Sequence, residues 1–241
     1  MEPKRIAQIY KELNSQFLAI TTRDFENLSD PIIFKQHVDI LNWCSSVVLA
    51  KEFKRFIVDD NNRDVIRFLL LYFNNCKDAE TLFPEKNYKV SKNLMICGTV
   101  GVGKTMIMQV FAEYLRVTRN PNAFQNVSVT QMINYYKIHN HLDKYTYNED
   151  GGNCFEGNPL NICLNDVGLQ THQHFGADTK IFIQDFFFAR NEIWSQTGKY
   201  AHITTNLSAG EIKEYFEDEH GRLADRFKTY NVVPLGGDSR R

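Results

Sequence analysis

Residues 94–106 read LMICGTVGVGKTM, a short apolar run followed by a glycine-rich loop that ends in Gly-Lys-Thr. The loop matches the phosphate-loop (Walker A) pattern G-x-x-x-x-G-K-(S/T). In this pattern the glycines let backbone N–H groups approach phosphate oxygens, the lysine reaches the β- and γ-phosphates, and the threonine hydroxyl binds Mg²⁺. The predicted nucleotide-binding residues are Gly98, Thr99, Val100, Gly101, Val102, Gly103, Lys104, Thr105 and Met106.

A helix is predicted directly after this loop. Apolar side chains recur at i, i+3, i+4, i+7 and i+8, which is the period of a helix with one buried face. They are Ile107, Val110, Phe111, Tyr114 and Leu115. A strand, a glycine-rich loop and a helix in this order place the phosphates at a helix N-terminus, whereas a chance Gly-Lys-Thr in an ordinary turn would lack that context.

The composition is that of an ordinary globular protein. The 241 residues suffice for one α/β domain and a smaller piece, and they are 43% hydrophobic and 24% charged. The formal net charge of −1 creates no strong field, so any contact with nucleic acid must come from a local patch. No apolar run reaches the roughly 18 residues of a membrane span. The five cysteines are scattered and never form C-x-x-C, so we expect a cytoplasmic protein with reduced, buried cysteines and no membrane attachment.

The first 58 residues predict a separate helical module. Apolar residues recur with helical spacing over residues 4–20 and again over residues 32–57, where Trp43 and Phe53 are among them. Asp30-Pro31 has the form of a helix start. We expect residues 1–58 to form a small all-helical module with its own core, and these apolar stripes could also serve to dock a protein partner. Residues 59–241 would then form the α/β domain.

Two further strands are predicted to end in polar residues. Residues 160–164 are apolar and lead into Asn165 and Asp166, and an acid at the end of a strand downstream of a phosphate loop is the usual second half of a nucleotide site. Residues 200–205 lead into Asn206, which could sense the γ-phosphate or the attacking water. Arg222 and Arg226 follow at i, i+4 on one predicted helical face, although a solvated helix with an Asp–Arg pair would explain them equally well.

Taken in order, these segments resemble the AAA+ ATPases of the DnaC/IstB group, the replicative helicase loaders and transposition helper ATPases. The group shares G-x-x-G-x-G-K-T, then D-(D/E)-x-G, then T-(T/S)-N-L-S, then R-(I/L)-x-(D/S)-R-(L/F). This chain has residues 98–105, 165–168, 204–208 and 222–227 in the matching positions, and its closing residues 238–241 are similar to the loader tail. The resemblance covers roughly residues 60–241 and is more specific than the phosphate loop alone.

This resemblance implies an α/β fold, namely a P-loop NTPase (AAA+) three-layer sandwich with a parallel central sheet. The helical module would precede it, and a full C-terminal lid would be lacking. The implied cofactors are ATP and Mg²⁺, held by Lys104 and Thr105. Asn206 matches the sensor-1 residue, which orients the attacking water.

The same resemblance implies an assembly of several subunits. Arg226 matches an arginine finger that acts on ATP held by a neighbouring subunit, and Arg222 is the second candidate for that role. A finger supplied in trans makes hydrolysis depend on a homo-oligomer or a mixed assembly. Arg240 or Arg241 is expected at a sensor-2-like place.

One position departs from the family pattern. Asp166 falls on the second acid, which is the catalytic base, whereas Asn165 falls on the first, which is the Mg²⁺ aspartate. The predicted metal site is therefore Thr105, Asn165 and Asp166, and Mg²⁺ should be held more weakly than by two acids. Either Asp166 shifts to serve the metal and hydrolysis is slow, or ATP acts chiefly as a conformational switch. We expect a slow ATPase.

The resemblance favours an ATP-dependent loader that escorts a replicative helicase onto single-stranded DNA, with residues 1–58 as the helicase-binding part. One alternative is a transposition helper that acts on duplex DNA and a transposase. Another is a non-hydrolysing, nucleotide-dependent adaptor. A metabolic kinase would leave Asn206 and the paired arginines without a role.

Overall fold

The computed structural model describes residues 25–152, 157–168, 173–174, 177–215 and 221–240. The strands are β1 (Asn93–Cys97), β2 (Gln125–Ser128), β3 (Ile162–Val167), β4 (Gln173–His174), β5 (Ala177–Asp178), β6 (Ala201–Thr205) and β7 (Tyr230–Pro234). The α-helices are α1 (Pro31–Leu49), α2 (Arg63–Phe73), α3 (Lys104–Val117), α4 (Val129–His139), α5 (Thr179–Thr197), α6 (Ala209–Tyr215) and α7 (Arg222–Arg226). None of the helices in these ranges is both long and apolar enough to span a membrane.

Five parallel strands form the central sheet in the order β2-β3-β6-β1-β7. All five residues of β1 are buried, as are all five of β6, so both faces of these central strands are covered. Because the strands are parallel, their carboxyl ends meet at one edge of the sheet. This edge carries the phosphate loop after β1, Asp166 in β3 and Asn206 after β6.

Two hydrophobic clusters lie on opposite faces of the sheet and confirm the predicted three-layer α/β sandwich. Leu94 and Ile96 of β1 pack in one cluster with residues of α1, α2 and α3. Met95, between them, packs in the other cluster with residues of α5 and α7. This alternation is the period of a strand that separates two helical layers.

Helix α1 begins as predicted and ends earlier than predicted. Asp30 is its N-cap, since the Asp30 carboxylate accepts a hydrogen bond from the Ile32 N–H at 2.7 Å. The helix ends at Leu49 and a short 3₁₀ turn follows, after which Phe53 has φ +54° and closes the turn in a left-handed conformation. Trp43 is 57% exposed and Phe53 is 98% exposed, so neither belongs to the core.

The described part of the predicted N-terminal module packs in the main core of the domain. Leu28, Leu41 and Cys44 belong to the same hydrophobic cluster as the residues of α2 and α3. His37 of α1 also hydrogen-bonds through Nδ1 to the Tyr114 hydroxyl of α3, in the interior. The boundary between residues 58 and 59 stays a prediction. Residues 4–20, where the first apolar stripe was predicted, lie outside the described residues.

This shared core generates a prediction about stability. Leu41→Ala should destabilise the whole chain by about 2–5 kcal/mol, because it removes a buried side chain from the core cluster that α1, α2 and α3 share. Urea denaturation followed by far-ultraviolet circular dichroism and by nucleotide binding should give one coincident, shifted transition. Trp43→Ala, on the exposed face of the same helix, is the control and should shift it little. If residues 25–58 unfolded independently of the α/β domain, the loss of nucleotide binding in Leu41→Ala would occur at the same urea concentration as in the wild-type chain.

Candidate nucleotide-binding site

The glycine-rich loop turns tightly between β1 and α3. Gly101 has φ +91°, a left-handed conformation that side chains with a Cβ rarely adopt. Gly98 is required for a different reason, since a Cβ there would lie 2.2 Å from the carbonyl oxygen of Leu235. The loop therefore lies directly against the chain that follows β7. Helix α3 begins at Lys104, so the loop ends at the N-terminus of a long helix, where anions are favoured.

The ammonium group of Lys104 connects the loop to the end of β6. Its Nζ donates to the carbonyl oxygens of Gly98 and Thr99, each at 2.8 Å, and to Oδ1 of Asn206 at 2.6 Å. The residue is only 5% exposed. Strand β6 lies between β1 and β3, and Asn206 follows its carboxyl end, so Asn206 lies between the phosphate loop and the acidic end of β3.

Asp166 and Thr105 are brought together at the same edge. The Thr105 hydroxyl donates to Oδ1 of Asp166 at 3.4 Å. Asp166 has φ +64° and the pairing of β3 with β6 shifts between Leu164 and Val167, so the strand bulges at this point. The Asp166 N–H donates to the hydroxyl of buried Thr204 at 3.1 Å, which stabilises the bulge.

Asn165 lies inside the sheet, where it is 4% exposed. Its Nδ2 donates to Oδ1 of Asn126 on β2 at 3.0 Å, and its Oδ1 accepts from the Thr204 hydroxyl on β6 at 3.2 Å. Both ends of the amide thus tie β3 to its two neighbouring strands. The structure brings Asp166 to Thr105 and engages Asn165 between β2 and β6, so a metal-binding role for Asn165 stays a prediction.

The donor atoms beside the loop fit Mg²⁺. Thr105 and Asp166 offer hydroxyl and carboxylate oxygens, the hard ligands that this ion prefers. No cluster of three or more His, Cys, Asp or Glu side chains that could hold a metal occurs among the described residues. Mg²⁺ commonly takes only one or two protein ligands and completes its octahedron with phosphate oxygens and water.

Arg222 and Arg226 lie elsewhere on the domain, on α7. The Arg226 guanidinium stacks on the Phe188 ring of α5, 4.4 Å from its centroid, and Nη1 donates to the Arg222 carbonyl at 2.9 Å. Arg226 lines a second cleft together with Tyr147, Phe188 and Glu192. Of the described residues, neither arginine lines the cleft that contains Lys104.

Two polypeptide segments outside the phosphate loop and the strand ends form the rest of the Lys104 cleft, which has a volume of about 1120 Å³. One is the segment between α1 and α2, which includes Ile57 and Asp59 and carried no motif. The other is the C-terminal tail after β7, which includes Ser239 and Arg240. The tail docks on the loop, since the Arg240 N–H donates to the Gly101 carbonyl at 2.9 Å.

Arg240 also reaches the opposite wall of this cleft. Its Nη2 contacts both carboxylate oxygens of Asp59, at 2.9 and 2.8 Å, and its Nη1 donates to the Ile57 carbonyl at 3.1 Å. The hydrogen bond from Arg240 lowers the pKa of Asp59, so this carboxylate is charged at neutral pH. The resemblance predicts a sensor-2-like place for Arg240 or Arg241, of which Arg241 lies outside the described residues, whereas Asp59 carries no motif in the sequence.

Known structures share this fold. DnaI matches with a TM-score of 0.51 and 18% identity, over 84% of this chain and 93% of that chain. Domain III of the replication initiation protein DnaA from Thermotoga maritima matches with a TM-score of 0.47 and 18% identity, over 75% of this chain and 65% of that chain. AMPPCP-bound DnaA from Aquifex aeolicus matches with a TM-score of 0.47 and 15% identity, over 76% and 49%. No protein-family model and no curated protein matches the sequence. The match with DnaI confirms the predicted fold.

The different surroundings of Asp166 and Asn165 predict opposite defects. Asp166→Asn should weaken nucleotide binding about tenfold or more in Mg²⁺ and much less in EDTA, because it removes the charge beside Thr105. Asn165→Ala should instead lower the free energy of unfolding by about 1–3 kcal/mol and leave the Mg²⁺ dependence intact, because it leaves the side chains of Asn126 and Thr204 without their hydrogen-bond partner. Titration with a fluorescent ATP analogue and thermal unfolding measure the two effects. The reverse pattern would assign the metal to Asn165.

Proposed function

We propose that this chain is an AAA+ ATPase of the DnaC/IstB group that binds Mg²⁺–ATP and loads a replicative helicase onto single-stranded DNA. The contact of Lys104 with Asn206 is the observation that supports nucleotide binding. It joins the phosphate-loop lysine to an amide at the end of β6, the neighbouring strand in the sheet, which lies beside the acidic end of β3. This is the place in which a side chain could both contact a γ-phosphate and orient a water.

In this proposal each residue has a separate task. Lys104 neutralises the β- and γ-phosphates, and the backbone N–H groups of the loop at the start of α3 cradle them. Thr105 and Asp166 hold the Mg²⁺, which supplies charge neutralisation of the phosphates. Asn206 hydrogen-bonds the attacking water and the γ-phosphate.

Slow hydrolysis follows from the single acid at the end of β3. Asp166 lies beside Thr105, and the residue before it is an asparagine whose amide bridges β2 and β6, so no second carboxylate stands next to Asp166. An amide is a poor proton acceptor, so the water must be activated by orientation and by charge rather than by a dedicated base. The same geometry supports the second candidate, a non-hydrolysing adaptor that uses ATP as a conformational switch.

The partner surface in this proposal is the outer face of α1. Ile32, Trp43 and Val47 are 71%, 57% and 42% exposed, whereas Leu41 and Cys44 on the inner face pack in the shared core. Exposed large apolar side chains on a packed helix are a common feature of protein contact sites. Since α1 packs on α3 and α3 begins at Lys104, a partner on α1 would be mechanically connected to the phosphate site.

The loader proposal is tested by affinity capture from the lysate of the protein's own host, with ATP and Mg²⁺ present. The wild-type chain should retain a replicative helicase, and Trp43→Ala should lose most of it while still binding ATP. Asp39→Ala, a polar change on the same helix, is the matched control and should retain the helicase. Recovery of a transposase, together with binding of duplex rather than single-stranded DNA, would favour the helper ATPase.

The arginine finger is tested by mixing two inactive variants. Arg226→Ala should lower hydrolysis by about a thousandfold, and Lys104→Ala should abolish ATP binding. An active site needs Lys104 from one subunit and Arg226 from its neighbour. If equal amounts of the two variants assemble at random, about a quarter of the interfaces combine an Arg226→Ala subunit that binds ATP with a Lys104→Ala neighbour that supplies Arg226, so about a quarter of wild-type turnover should return. Steady-state phosphate release with single-stranded DNA present measures this. A mixture that stays inactive would refute a finger in trans, and Arg222→Ala in place of Arg226→Ala decides between the two arginines.

A further inference from the structure

The cleft that contains Lys104 has two walls that are far apart in the sequence. One wall is the phosphate loop with the C-terminal tail docked on it, and the other is the segment of residues 50–62 between α1 and α2. Arg240 bridges them, because its backbone N–H is bonded to Gly101 while its guanidinium is bonded to Asp59 and Ile57. Asp59 and Arg240 are 181 positions apart in the chain.

Arg240 retains donor capacity in this position. Its Nε is buried and has no hydrogen-bond partner among the described residues. A guanidinium carries five N–H donors, and Asp59 and Ile57 do not use all of them. The side chain passes close to the loop, since its Cδ lies 3.6 Å from the point where a Cβ on Gly103 would stand. Unused donors on a cation beside a phosphate loop favour a negatively charged acceptor.

We propose that Asp59 is a positioning residue that holds the Arg240 guanidinium in the cleft, where Arg240 contacts the phosphates of the nucleotide bound at Lys104. This inference rests on the proposed nucleotide binding. The Asp59 carboxylate contacts Nη2 with both of its oxygens, and the Ile57 carbonyl takes Nη1, so the plane of the guanidinium is fixed before a ligand arrives. Preorganisation of this kind lowers the ordering cost of binding.

The carboxylate is needed in this role because it is a charged acceptor with two oxygens. An amide at position 59 would present one oxygen and one NH₂ group, and the NH₂ group would oppose the guanidinium donors. Arg240 in turn neutralises a carboxylate that would otherwise repel phosphate. A lysine at position 240 could supply the charge but not the planar donor geometry.

The pair also connects the nucleotide to the proposed partner surface. Asp59 lies ten residues after the end of α1 at Leu49, and Ile57 and Asp59 both line the cleft. A partner that displaces the segment of residues 50–62 would move Asp59 and withdraw Arg240 from the phosphates. Nucleotide affinity would then respond to occupancy of α1.

A double-mutant cycle tests this inference on the full chain. The variants are Asp59→Ala, Arg240→Gln and the double variant, and a fluorescent ATP analogue is titrated with Mg²⁺ present. Each single variant should weaken binding about five- to tenfold, and the double variant should be no weaker than Arg240→Gln alone, because Asp59 acts through Arg240. Asp60→Ala removes the neighbouring carboxylate, which pairs with Arg63 on the surface, and should leave the affinity unchanged.

Thermal unfolding without nucleotide separates positioning from a merely structural role. The Asp59 carboxylate also accepts from the Asn61 N–H at 3.0 Å, so we expect Asp59→Ala to lower the unfolding temperature slightly and to stay folded at the temperature of the titration. Unchanged affinity in Asp59→Ala, additive losses in the double variant, or an affinity loss that is explained by unfolded protein would overturn the inference. If the wild-type chain and Lys104→Ala both fail to bind the analogue, the proposed nucleotide binding itself is wrong, and the inference falls with it.

Discussion

The buried ammonium group of Lys104 is the contact on which the geometry of the site depends. It is held by two carbonyl oxygens of its own loop and by the side chain of Asn206 from another strand. A buried cation is stable only when its donors are satisfied, so these contacts constrain the loop and the end of β6 together. Parallel strand order then brings the acidic end of β3 next to them.

A second constraint is the packing of α1 on α3. Helix α3 carries the phosphate loop at its N-terminus and buries its apolar face partly against α1, through the same cluster that contains Leu41 and Cys44. Interiors are densely packed, so a displacement of α1 cannot be absorbed locally and must be passed to its neighbours. The proposed partner surface and the nucleotide cleft therefore belong to one packed unit, and the pair formed by Asp59 and Arg240 is a second connection between them.

The bulge at the end of β3 gives its two polar residues different surroundings. In a regular strand, neighbouring side chains alternate between faces, so Asn165 and Asp166 could not both point to the edge. The left-handed conformation of Asp166 and the hydrogen bond from its N–H to Thr204 place the carboxylate near Thr105, while the amide of Asn165 bridges β2 and β6. The family pattern, which compares positions along the chain, cannot show this difference in surroundings, because it depends on contacts between strands.

The phosphate loop, the helix after it and the polar ends of β3 and β6 could be predicted because they arise from local chemistry. Glycine conformations, apolar periodicity and strand ends depend on residues near each other in the chain. The merging of residues 25–58 into the main core, the burial of Asn165 and the meeting of Asp59 with Arg240 could not be predicted in this way. They depend on contacts between segments that are distant in sequence, and packing selects such contacts only when the whole sheet and its helices are assembled.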